Sequence, residues 1–157
     1  MKTLLAFALT VIAATLCTVP LSAEEHEKKI NRADLPPAVE KTVAAQTQGA
    51  TIRGFNEEQE NGKTYFEAEL TVNGHSKDIL IDPTGAVVEI EEQVEFASLP
   101  AAVQSGLQTK AGSGKLGKVE SITKHDKIVA YEAKVMTNGK RSEVQVGPDG
   151  KPLDHEE

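Results

Sequence analysis

Apolar and polar positions alternate strictly over residues 66–72, with Phe66, Ala68, Leu70 and Val72 on one side and Glu67, Glu69 and Thr71 on the other. A period of two is the signature of a strand with one buried face. Asn73-Gly74 follows, the pair that tolerates positive φ at both corners of a type I′ hairpin turn. A second alternating run presents Ile79 and Ile81, and Asp82-Pro83-Thr84-Gly85 closes it with Pro at the second turn position. The pattern recurs 65 positions later: Tyr131, Ala133 and Val135, then Asn138-Gly139, then Val144 and Val146, then Gly147-Pro148-Asp149-Gly150. A fourth strand is expected over 87–92, burying Val88 and Ile90. Its counterpart at 151–154 contains Pro152, which fits only an edge or frayed strand.

Upstream of each hairpin the period changes to that of a helix. Leu35, Ala38, Val39 and Val43 share one helical face, with Asp34 as the expected N-cap, Pro36 and Pro37 in the first turn and Gly49 past the end near Gln48. Leu99, Ala102, Val103 and Leu107 repeat that face behind Ser98, and Gly112-Ser113-Gly114 stops it. First strands are expected over 51–58 and 118–124. There Ile52 with Phe55, and Val119 with Ile122, break strict alternation, so a bulge or an edge position is expected. The expected fold is α+β: two tandem α-β-β-β(-β) repeats forming an antiparallel sheet with one helix packed per repeat. Each repeat is too small to hold a robust core alone, which favours one shared, curved sheet or, failing that, an interface between two sheets.

The remaining segments set the boundaries. Residues 1–23 read as a cleavable signal peptide: Lys2, an apolar run over 4–16, and a small residue, Ala23, at the cleavage position. Residues 24–33 read as a charged, solvated leader, 34–93 as the first repeat, 94–98 as a linker and 99–157 as the second repeat. Cys17 follows Leu16, too large for a lipobox, so a soluble periplasmic or secreted chain with no membrane span is expected after cleavage. That mature chain holds no cysteine, so its stability rests on apolar burial.

Charge is unevenly spread. Residues 35–93 carry 4 basic and 11 acidic side chains, net −7, whereas 99–157 carry 9 and 8, net +1. No basic cluster suits a phosphate backbone, so a nucleic-acid partner is not expected. His26, His75, His125 and His155 have no metal-ligand spacing, and Ser105-Gly106 and Ser113-Gly114 lack a nucleophile frame. No catalytic residue, metal or cofactor is assigned.

The openings Leu35-Pro36-Pro37-Ala38-Val39 and Leu99-Pro100-Ala101-Ala102-Val103, the strands Phe66-Glu67-Ala68-Glu69-Leu70 and Tyr131-Glu132-Ala133-Lys134-Val135, and the turn Asp82-Pro83-Thr84-Gly85 resemble the PepSY domain and its PepSY-like, β-lactamase-inhibitor-protein-like periplasmic relatives. The resemblance covers most of 35–157. It implies a helix on an antiparallel sheet in each repeat, and a non-enzymatic role in binding or restraining a protein or peptide in the cell envelope, such as a peptidase. The chain has no Trp, two Tyr and four Phe, a poor stock of the aromatic anchors that tight interfaces use.

Strand parity sets the candidate partner surface. Tyr65, Glu67 and Glu69, with Asp78 on the third strand and Glu89 and Glu91 on the fourth, fall opposite the core. Such a face suits a basic peptide or, in an alternative reading, a cation. Repeat two has Glu132 and Lys134 in the equivalent rows, so the acidic surface is not expected to be duplicated there, and no pocket is expected.

Overall fold

The computed structural model describes residues 26–60, 62–155 and 157; the expected signal peptide lies outside them. One sheet of eight antiparallel strands is laid down in chain order: β1 (His26–Ile30), β2 (Thr51–Glu60), β3 (Lys63–Val72), β4 (His75–Ile81), β5 (Val87–Val94), β6 (Lys115–Lys124), β7 (Lys127–Thr137) and β8 (Lys140–Val146). Helix α1 (Pro37–Gln46) precedes β2 and helix α2 (Ala101–Ala111) precedes β6. The α+β architecture with one helix per repeat is therefore present, and the sheet is continuous: β5 pairs β6 from Ile90↔Thr123 to Val94↔Val119.

Both helices lie on the same face. Val39 and Val43 of α1 are buried with Phe55, Phe66, Ala68, Leu70, Ile79 and Ile81. Val103 and Leu107 of α2 are buried with Val119, Tyr131, Ala133 and Val146. Ile90 packs against the first cluster and Val94 against the second. These two positions share a face of β5, so a single strand underlies both cores. Asn73-Gly74 and Asn138-Gly139 turn the hairpins with positive φ at all four residues, as the type I′ geometry requires. Gly85 and Gly150 also have positive φ, and a Cβ there would strike the backbone of α1 at Ala38 and of α2 at Ala102 respectively.

Several local expectations are corrected. Residues 26–30 are a strand rather than part of a solvated leader: β1 pairs along the free edge of β2, and Ile30, opposite Phe55, packs on the first core. Asp34 does not cap α1. Its carboxylate accepts the Asn31 backbone N–H at 2.9 Å and closes a 3-10 turn, and α1 starts at Pro37 behind Pro36. Ser98 likewise sits in a 3-10 turn, its hydroxyl donating to Glu95 O, and α2 starts at Ala101. A register shift at Leu80/Ile81 puts Val87 rather than Val88 opposite Ile81, and Val87 packs on the core. Strand β5 runs through Val94, into the expected linker. Residues 151–154 form no strand.

Of the two expected causes of the broken alternation, bulges are the one present, since β2 and β6 both lie inside the sheet, and one residue changes partner. Ile52 and Phe55 both reach the helix side because β2 shifts register between Ile52 and Gly54. In β6 the shift falls between Leu116 and Val119, which brings those two to the second core. Ile122 instead pairs Ala130 on the opposite face, beside Glu91.

Candidate functional site

The face without helices is concave and forms a groove of about 530 Å³. Its lining follows from register. The row Asn56–Glu67–Leu80–Glu89 crosses β2 to β5, and the next row runs Glu69–Asp78–Glu91. A third row runs Gln93, Glu120, Glu132 and Gln145, and Ser76 joins it by donating its backbone N–H to Gln93 Oε1 at 3.2 Å. Of the seventeen lining residues twelve are carboxylates and two, Lys118 and Lys134, are cations, so the groove is strongly acidic.

Five of the six expected surface residues, Glu67, Glu69, Asp78, Glu89 and Glu91, line this groove. Tyr65 lies on the same face, opposite Glu58, half-buried and outside the lining. The expectation of no pocket is overturned, because the bulged, twisted strands curve the sheet. So is the confinement of the surface to repeat one: Glu120, Glu132, Lys134, Glu143 and Gln145 continue the groove across β6, β7 and β8. Simple alternation does not reveal Glu120, because the register shift at Leu116/Val119 breaks the pattern that would place it. The C-terminal residue adds to the wall: the Glu157 backbone N–H donates to Gln145 Oε1 at 2.9 Å, and Lys124 Nζ bridges Glu89 (3.1 Å) and Glu157 (3.2 Å).

The cations present are already engaged. Arg53, carried by the β2 bulge, donates to Asp78 Oδ1 at 2.6 Å and to Leu70 O at 3.0 Å. Lys118 Nζ sits 2.5 Å from Glu120 Oε1 and 3.2 Å from Ser76 Oγ, with the Ser76 hydroxyl donating to Glu120 at 3.1 Å. Lys134 pairs Glu143 at 3.3 Å. The carboxyls between them respond by holding protons. Burial pushes Glu91 up to about 8, with repulsion from Glu89, Glu120, Glu132 and Asp78 adding to it. Burial likewise pushes Glu67 up to about 7 against the opposing hydrogen bond from Asn56. Asp78 and Glu132 are raised for the same first reason, against Arg53 and Gln145 respectively.

Two local arrangements stand out. Oxygens of Asp78, Glu91 and Glu120 all lie within 4.8 Å of one another, a spacing at which carboxylates can share a hard cation. At the other end Asn56, only 1% exposed, donates through Nδ2 to Glu67 Oε2 at 2.6 Å, while its buried Oδ1 has no donor among the described residues. An unmet buried acceptor of this kind costs about 1–3 kcal/mol.

No family model matches the chain, and no curated protein matches it. Solved structures do. A protein described as periplasmic, from Bacteroides eggerthii, superposes with a TM-score of 0.61 at 17% identity, covering 76% of this chain and 86% of its own. A DUF2874 family protein from Bacteroides ovatus gives 0.59 at 18%, covering 76% and 85%. A BLIP-like protein from Bacteroides fragilis gives 0.53 at 18%, covering 74% and 81%. The chain shares the BLIP-like fold. At such identities the likeness is one of architecture, and it does not reach the PepSY domain specifically. No enzyme family is indicated among these neighbours, and no helix of the described residues is long and apolar enough to cross a membrane.

Proposed function

We propose that this is an exported, non-enzymatic module that binds a protein or peptide in the cell envelope through the acidic groove, as an inhibitor or modulator of a peptidase. Residues 1–23 act as its export signal, with cleavage after Ala23, and 34–93 and 99–157 are tandem PepSY-like repeats joined at 94–98. The observation that carries the reading is the groove itself, which faces away from both helices with far more carboxylates than cations. Its carboxylates run from Glu27 on β1 to Glu143 on β8, about 34 Å at the usual strand spacing, the length of about ten residues of extended chain. A basic extended segment of a partner supplies the missing charge, and long-range attraction speeds its capture.

The test compares the mature chain with a Glu69→Lys/Glu91→Lys variant as bait in envelope extract. The expected result is a saturable partner that the wild type retains, the variant loses, and added salt elutes. Equal capture by both baits refutes the groove as the binding surface.

The spacing of Asp78, Glu91 and Glu120 favours a second reading, a divalent-cation site. Calorimetry with calcium, zinc and iron distinguishes it: no heat at millimolar metal removes this reading, whereas heat abolished by Glu91→Gln supports it.

A further inference from the structure

Within the groove the acidic lining is of two kinds. Around Asp78 and Glu120 the molecule supplies its own cations, Arg53 and Lys118. Around Glu67 it supplies none: no ion pair to Glu67 is formed among the described residues. The charged groups facing it are the carboxylates of Glu58 on β2, Glu69 on β3, Asp78 on β4 and, beyond Leu80, Glu89 on β5. On the cationic side the described residues offer Arg53, committed to Asp78 and Leu70 O, Lys124, committed to Glu89 and Glu157 at the far end of the row, and Lys29, exposed at its open end on β1.

Asn56 adds an observation independent of charge. It lies on the groove side of β2, opposite Glu67 in register but beneath the lining residues, with one end of its amide satisfied by Glu67 and Oδ1 left without a donor among the described residues. A half-buried carboxyl without a counter-ion among the described residues, next to a buried acceptor without a donor, lacks the same thing twice: a cation with more than one N–H. A guanidinium fits best, being planar, more weakly hydrated than an ammonium and able to donate in two directions at once.

We propose that the β2–β3 end of the groove is a receptor for one arginine side chain of the partner, with the Glu67 carboxylate as counter-ion and Asn56 Oδ1 as second acceptor. The proposal rests on the reading that the groove takes a basic segment, and it names the side chain that segment must carry. It also requires binding to release protons. Glu67 holds its proton near neutrality when the groove is empty, and an arriving guanidinium favours the ionised form.

The test is calorimetry on the mature chain with three blocked heptapeptides of alternating Ser and Arg, Ser and Lys, or Ser and citrulline. The Arg peptide is expected to bind at least threefold more tightly than the Lys peptide, and the citrulline peptide not at all. Heats in buffers of different ionisation enthalpy should show proton release at pH 7. Glu67→Gln should weaken the Arg peptide about tenfold and reduce the proton release, with an unchanged urea midpoint or a higher one showing that the fold is intact. Asn56→Leu, which removes both polar atoms, should erase the preference for Arg over Lys. If the Arg peptide binds but Glu67→Gln changes neither affinity nor proton release, the receptor is not here, while the groove reading stands. If neither basic peptide binds at millimolar concentration, both fall.

Discussion

Single residues decide where this fold tolerates change. Gly150 has φ +77° and turns its open side onto Ala102 of α2, whereas Gly139 has φ +79° with nothing near its absent side chain. Alanine at Gly139 meets only backbone strain and should cost about 1 kcal/mol. At Gly150 the same strain is joined by collision with a helix backbone, so a loss of at least about 2 kcal/mol is expected. Urea titration of both variants checks this, and equal losses would show that helix and turn are not in contact. These glycines are visible in the sequence as turn residues. Their second job, letting a helix rest on the turn, is not, because it depends on contacts about fifty residues apart along the chain. Asp34 departs from its expected capping role for a related reason: its carboxylate has a nearer donor, the Asn31 N–H, than any helix N-terminus offers.

Carboxyl protonation is also argued residue by residue. Glu67 and Glu91 hold protons up to about 7 and 8 in the folded chain, against about 4.3 for an unperturbed glutamate. The folded state therefore binds more protons than the unfolded state between about pH 4.5 and 8. Stability must fall as pH rises through that window and level off above it. Every tenfold gain in a carboxyl's proton affinity on folding corresponds to about 1.4 kcal/mol. The urea midpoint is expected to be higher at pH 5 than at pH 8, with Glu91→Gln flattening the difference. A midpoint that rises with pH would mean that these groups are ionised in the native groove.

At the scale of elements, the hairpins are legible because each rests on local rules: period two, an Asn-Gly corner, a proline at the second turn position. Strand β1 is not, because an edge strand needs only one apolar residue facing the core. Ile30 supplies it, while Lys28 and Lys29 are exposed and read as solvated chain. Lysines on an edge are also a safeguard against pairing with another chain. We expect Ile30→Gly to release β1 alone. Its amides should then exchange at the rate of unstructured peptide while those of Leu70 and Ile79 stay protected, a pattern hydrogen exchange can read. The broken alternation signals the bulges, yet it does not tell which residues they turn inward, since a register shift moves every later side chain to the other face. That is why Glu120 and Ile122 are hidden from strand parity while Glu67, Glu69, Asp78, Glu89 and Glu91 are not.

For the molecule as a unit, the decisive feature is that β5 lies beneath both clusters of buried side chains. Ile90 belongs to one and Val94 to the other, and β5 pairs with β6 between those two positions. Heat and urea are therefore expected to melt both halves in one transition, with Tyr65 and Tyr131 fluorescence and far-UV circular dichroism giving the same midpoint. Leu107→Ala, which empties the centre of the second cluster, should lower that shared midpoint by about 2–5 kcal/mol of stability rather than split it. Two separated transitions would mean that the halves are stable alone.

Strand order in space equals strand order in the chain. Each strand finds its neighbour just behind it, so closing the sheet never requires a distant segment to arrive first, and assembly should be rapid for so β-rich a protein. Strands β1 and β8, the first and last among the described residues, are the two outer strands of the sheet. Traction applied there should strip strands one after another from either side, at low force, rather than shear the sheet in a single rupture.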